Sequence, residues 1–207
     1  PSVMPFFLQG AGGDARPRHV ANPDDWRQLP HDELPLLGRD LLNESLQILS
    51  RGRARTLGSL VLDGRITPVD LPCEQRHTTR QDFQALLAHE DPWTRLYAQN
   101  SLTRLDAGQP IPTSARYHLH TLWLDQETAL LGLDAEPLCG LGRHLEAALA
   151  PRQAILLGYV NGCSSYLPDT AEMKRGGYEA SCYLFDGWTG PWAPGIEDVL
   201  SAGVYRR

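Results

Sequence analysis

Residues able to do chemistry gather at three places along the chain. Glu136 closes the run Leu131-Gly132-Leu133-Asp134-Ala135-Glu136-Pro137, where a strand-like apolar stretch stops and helical spacing begins. A carboxylate at a strand-to-helix junction can point into a site above a sheet, or serve as the first-turn acid of the helix that follows. Tyr166 and Tyr178 bracket a polar segment within Gly158 to Glu179, closed by Gly176-Gly177. Asn161, Gly162 and two serines open that segment directly behind the apolar run Ala154 to Val160, so it reads as a turn at the end of a buried strand. The third place is Gln9-Gly10-Ala11-Gly12-Gly13-Asp14-Ala15-Arg16-Pro17-Arg18. Its glycines can turn backbone N–H groups toward an anion or oxyanion, or simply make a tight turn. No Lys-Ser/Thr follows, so it is not a phosphate loop of the G-x-x-x-x-G-K-[ST] kind. A fourth, weaker feature is His118 and His120. At i, i+2 on a strand they share a face and read either as a metal pair or as a hydrogen-bonded sheet face.

The elements that must position these residues follow from periodicity. Val3 to Leu8 reads as a buried strand feeding the Gly-rich loop, and Asp32 to Ile48 as a helix with Asp32 at its N-cap. Leu57 to Leu71 reads as a hairpin turning at Asp63-Gly64. Thr78 to Leu105 is helical in two parts, the first opened by Thr79 with Asp82 and the second by Pro92. Trp93 and Tyr97, at i, i+4, read as core packing. Strands are expected over Thr113 to Trp123, Thr128 to Leu133 and Ala154 to Val160. A helix is expected from Leu138 to Leu149, a short strand at Tyr183 to Phe185, and a last helix over Ile196 to Tyr205. The order predicts an α/β layered fold with a mixed β-sheet flanked by helices.

Composition narrows the function classes. The chain has 207 residues and a net charge of −6, with no Lys/Arg-rich face, which argues against a nucleic-acid partner. No apolar run approaches the ~18 residues of a membrane span. Cys73, Cys139, Cys163 and Cys182 form no C-x-x-C pair and read as structural or free thiols. The chain begins at Pro1 inside what reads as a core strand, which leads us to expect a truncated N-terminus.

Three segments, in register, resemble the neutral/alkaline non-lysosomal ceramidases and their bacterial relatives. They are Phe7 to Arg18, like the family's strand and Gly-rich loop ending in a proline; Leu131 to Pro137, like its strand ending in a small residue and Glu; and Gly158 to Glu179, like its Gly-Tyr-x-Asn…Tyr…Tyr-Glu segment. The resemblance implies that residues 1–207 are the C-terminal portion of a ceramidase-like catalytic domain, whose first part, with two zinc-binding histidines, would precede Pro1. It implies that Glu136 and Tyr166 bind Zn2+ and that Tyr178 contacts the reacting carbonyl. Tyr178, Arg16 and Asp14 are then the candidate catalytic residues, and Gly12, Gly13 and Asn161 the candidate substrate-binding positions. The implied partner is a small-molecule or lipid amide. The chain departs from the family in the Gly-rich loop, where Arg16 replaces the serine regarded as catalytic and Asp14 replaces Asn. That departure points to an N-acyl substrate other than ceramide. The alternative is a degenerate, non-catalytic member that binds a lipid or glycan.

Overall fold

Alternating apolar and polar residues build the centre of the fold, as the strand period requires. The computed structural model describes residues 4, 6–17, 20, 28–52, 57 and 59–205. In strand β1 (Asp63–Pro72) Thr67, Val69 and Leu71 face inward, and in β2 (Ser114–Trp123) Tyr117, Leu119 and Thr121 do. The two pair antiparallel along their whole length, Asp63 opposite Trp123 and Pro72 opposite Ser114. Strand β3 (Thr128–Leu133) pairs antiparallel with β2, and β5 (Gln153–Leu157) pairs parallel with β3, giving a mixed sheet in the order β1-β2-β3-β5. The predicted α/β class with a mixed sheet is what the fold shows. Beyond β3, the two-residue strands β4 (Glu136–Pro137) and β6 (Tyr166–Leu167) form a separate parallel ribbon.

Helices α4 (Cys139–Ala148) and α7 (Ile196–Tyr205) lie on one side of the sheet. With Trp188 and Trp192 they bury Val69, Leu71, Tyr117, Leu119, Leu131 and Leu156. The other side is open among the described residues: Ile66, Leu122 and Ile155 are exposed, and a cavity there is lined by Ile66, His120, Leu122, Leu130 and Val160. Helices α2 (Arg80–Leu86) and α3 (Pro92–Asp106) form a smaller core around Phe83, Tyr97, Ala98 and Ile111. The Thr79–Asp82 capping box expected from sequence is present, and the Asp91 side chain caps α3. Helices α5 (Thr170–Arg175) and α6 (Tyr183–Asp186) complete the unit made of Pro1–Asp14 and Val61–Arg207.

The second unit is Ala15–Leu60. It holds a 3-10 turn, His31–Glu33, running into helix α1 (Leu34–Ser50), and no residue of that helix is buried. Asp32 lies within the turn and does not cap the helix.

Several expectations are corrected. Val3 lies outside the described residues, and Phe6, Phe7 and Leu8 are exposed and outside any strand; Gly10 makes an isolated bridge to Leu157. Asp63-Gly64 opens β1 and is not a turn, because both residues stay in register with β2; Leu60 to Leu62 is not a strand. Tyr183 to Phe185 is helical, since an apolar triplet has no period of its own to separate strand from helix. The strand from Ala154 ends at Leu157, because Tyr159 adopts a left-handed φ of 61°. Trp93 is not core: Tyr97 takes that place and Trp93 faces outward.

Candidate functional site

The site lies where the parallel pair β3 and β5 ends. Past Leu133 the backbone continues as a ladder: the Val160 N–H donates to the Leu133 carbonyl and the Tyr159 N–H to that of Ala135, both at 2.9 Å. Glu136 N–H then donates to the Ser165 carbonyl at 2.8 Å and Leu138 N–H to that of Leu167 at 3.0 Å, which sets Glu136 directly opposite Tyr166. Directly paired residues of neighbouring strands project to the same side. The carboxylate and the phenol, thirty residues apart in sequence, therefore project from the same side of the ribbon.

Two further groups stand beside Glu136. Burial, and next the Glu136 carboxylate, push the Tyr159 phenol well above its ordinary range. Burial and the same carboxylate raise the Cys163 thiol. Both keep their protons at neutral pH. The left-handed backbone of Tyr159 is uncommon for an aromatic residue and is held by the bond to Ala135. Sequence reading passed over Tyr159; only the tertiary ladder brings it to Glu136.

Tyr178 stacks edge-on against Tyr166, with ring centroids 5.7 Å apart. Gly176 and Gly177, at φ of 75° and 111°, let the chain leave α5 and turn back to make that contact. Asn161 is exposed with a left-handed φ of 62°, on the loop between Val160 and Tyr166.

The start of the Gly-rich loop packs behind Glu136. Gly13 N–H donates to the Pro137 carbonyl at 3.0 Å, and Gly158 N–H to that of Gln9 at 3.1 Å. A Cβ on Gly13 would stand 2.9 Å from Leu138 Cδ1 and 3.1 Å from the Glu136 carbonyl, so only glycine lets the loop lie this close. The Asp14 carboxylate accepts the Cys139 N–H at 2.8 Å, at the first turn of α4. Burial works to raise its pKa, but hydrogen bonds from the Cys139 backbone and thiol, its own N–H and nearby Arg143 outweigh this and hold it below the usual range. Asp14 therefore ties the loop to the helix. Arg16, in the Ala15–Leu60 unit, is exposed, and its guanidinium donates to the Ala15 carbonyl at 3.0 Å.

His118 and His120 sit on the open side of the sheet. His118 Nδ1 is 2.8 Å from Asp134 Oδ2 and its backbone N–H donates to Oδ1 at 2.9 Å, so the hydrogen-bonded reading holds for His118. All four cysteines are free.

Structural zinc chemistry asks for about four donors, and catalytic sites for about three protein donors plus water. Glu136 and Tyr166 supply two oxygens on one side of one ribbon, a fitting part of such a set. No group of three His, Cys, Asp or Glu able to hold a metal occurs among the described residues.

The C-terminal end of a parallel β-pair is where open α/β sheets place their ligand crevices. No family model matches the chain, and no curated protein matches it. Among solved structures the chain is similar to the neutral ceramidase of Pseudomonas aeruginosa: 18% identity, a TM-score of 0.51, and coverage of 95% of this chain but 35% of that one. A ceramidase complexed with C2 aligns more loosely, at 14% identity and a TM-score of 0.36 over 69% of this chain and 29% of its own. The first likeness shows the fold: the mixed sheet and its flanking helices follow those of a ceramidase segment. The chain spans about a third of that ceramidase's length.

Proposed function

We propose that residues 1–207 are the C-terminal portion of a ceramidase-like catalytic domain and supply half the site of a zinc-dependent hydrolase acting on an N-acyl amide other than ceramide. The observation that carries this reading is the register of the β4–β6 ribbon, which sets Glu136 opposite Tyr166 at the end of the sheet. In it, Glu136 and Tyr166 hold the zinc with donors from outside this chain. When bound, the metal would polarise the amide carbonyl and lower the pKa of its water toward ~7. Tyr178, stacked on Tyr166, donates its phenolic hydrogen to the developing oxyanion. Hydrolysis adds water across the C–N bond, giving a carboxylate and an amine. Tyr159 and Cys163, protonated beside Glu136, keep a second anion away from the ligand carboxylate. Gly12, Gly13 and Asn161 present backbone to the substrate. Arg16 stands at the serine position of the family and carries an exposed cation in place of the hydroxyl. Asp14 acts by fixing the loop to α4.

The test is an N-acyl amide panel run on the protein together with its upstream sequence. Turnover should be abolished by a chelator and restored by zinc. Tyr178→Phe should lower kcat roughly 100-fold, the size of one lost oxyanion donor, with KM little changed. Turnover indifferent to chelation would overturn the proposal. Binding of acyl compounds without any turnover would favour the non-catalytic reading.

A further inference from the structure

Along the paired strands β1 and β2, the side chains that face α4 and α7 come in directly opposed pairs. Val69 meets Tyr117 and Thr67 meets Leu119, all of them buried. The next pair is polar, Arg65 opposite Thr121, and the last is Asp63 opposite Trp123. This end of the sheet is the one away from Glu136: Trp123 pairs with Ala129 near the start of β3, whereas Glu136 follows the end of that strand.

A cavity of about 850 Å³ opens here, a volume that holds small organic ligands. Arg65, Thr121, Trp123 and Arg152 line it, together with Leu149 and Tyr205 at the ends of α4 and α7. The Arg65 guanidinium donates to the Val204 carbonyl at 3.1 Å and the Tyr205 hydroxyl donates to that of Ala148. Those two bonds fix both helix ends beside the cavity.

Two buried polar atoms of the lining residues have no partner among the described residues. They are Arg65 Nε and Thr121 Oγ1, the latter on a residue only 3% exposed. A buried donor without an acceptor is costly, so a pair of them beside a cavity points to an oxygen-bearing ligand. Arg152 places a second cation at the rim, its guanidinium 5.1 Å from the centroid of the Trp123 ring. Neither guanidinium forms an ion pair with a carboxylate among the described residues, although Asp63 lines the same cavity.

Charge and shape select the ligand. Two cations against Asp63 leave a single positive charge to be matched. The C-terminal ends of α4 and α7 add partial negative charge, which disfavours a dianion such as phosphate. Trp123, Tyr205, Leu149 and Val204 make the rest of the wall apolar and largely aromatic, a surface that covers a flat ring.

We propose that this cavity is a binding site for a small aromatic monocarboxylate, with the carboxylate at Arg65 and Thr121 and the ring against Trp123 and Tyr205. A guanidinium–carboxylate pair supplies the strong, directional contact, and the Thr121 hydroxyl a second donor. The site uses neither the metal nor the β4–β6 ribbon, so it stands or falls apart from the hydrolase reading.

The probes are 2-naphthoate, its neutral isostere 2-acetylnaphthalene and inorganic phosphate, each titrated calorimetrically into the 207-residue chain. Naphthoate should bind saturably, and acetylnaphthalene at least about tenfold more weakly, the size of one charge-assisted hydrogen bond. Arg65→Gln should weaken naphthoate about tenfold or more while leaving acetylnaphthalene little changed. Because Arg65 also holds the end of α7, Thr121→Val and Arg152→Gln carry the same test without touching that bond. Each should weaken naphthoate about threefold, with near-UV circular dichroism unchanged. Naphthoate that fails to bind saturably overturns the proposal, as does acetylnaphthalene binding equally well. Affinity unmoved in both Thr121→Val and Arg152→Gln overturns it too. Phosphate that displaces naphthoate at lower concentration would make the cavity an oxyanion site of another class and would likewise overturn it.

Discussion

Gly13 and Asp14 are neighbours with separable tasks. A methyl group on Gly13 meets the buried Leu138 side chain and two backbone carbonyls that cannot swing aside, so Gly13→Ala should destabilise the fold by about 1–3 kcal/mol in urea titrations. Asp14→Ala removes an acceptor at the first turn of α4 and, because Asp14 is exposed, should cost only about 1 kcal/mol at pH 7. The folded carboxyl titrates below its unfolded value of about 3.9. Its contribution is therefore fully present above that value and is lost as pH falls through the depressed folded pKa. The gap between wild type and Asp14→Ala should close as pH falls through the depressed folded pKa; a gap that persists once the carboxyl is protonated would show that the carboxylate is not the acting group. Glu136, Tyr166 and Tyr178 could be singled out in the sequence because their order and spacing resemble a family's motif, while their roles remain proposals. The partner of Asp14 was not, since Cys139 lies far along the chain and only the packed loop brings the two together.

Among the elements, the two-residue strand β6 has the least support of its own. It is pinned from three sides: Glu136 and Leu138 N–H groups reach the Ser165 and Leu167 carbonyls, the Ser165 hydroxyl reaches Asp186, and the Trp192 indole donates to the Tyr166 carbonyl at 2.9 Å. Trp192 is buried against Trp188 and Tyr117. Trp192→Phe leaves the Tyr166 carbonyl without that donor and opens a small void. It should lower stability by about 2–3 kcal/mol, read by thermal unfolding with near-UV circular dichroism. A loss below about 0.5 kcal/mol would mean the ribbon does not depend on Trp192. Helices α3, α4 and α7 and strands β2 and β3 were readable because each is long enough to show a period. The ribbon β4–β6 and helix α6 were not, because two to four residues carry no period and their pairing is decided by tertiary neighbours.

At the scale of the whole molecule, the sheet buries one side and leaves Ile66, Leu122 and Ile155 exposed on the other. Substituting Ile66 and Ile155 by Lys should change the stability of the 207-residue chain by no more than about 0.5 kcal/mol each while reducing its self-association in light scattering. A large loss of stability would show that this side is packed within the chain. Sequence spacing could name the two faces of β2 but not which would stay open, because that depends on where α4 and α7 settle. The proposed site has the same incompleteness: Glu136 and Tyr166 stand opposite each other on one ribbon, and no group of three His, Cys, Asp or Glu able to hold a metal occurs among the described residues. The most direct measurement is the metal content of the protein carrying its upstream sequence, purified without added metal, beside its Glu136→Ala and Tyr166→Phe variants. The account predicts close to one zinc per chain, falling well below stoichiometric in both variants. An intact protein free of zinc, or variants that keep it in full, would contradict the account.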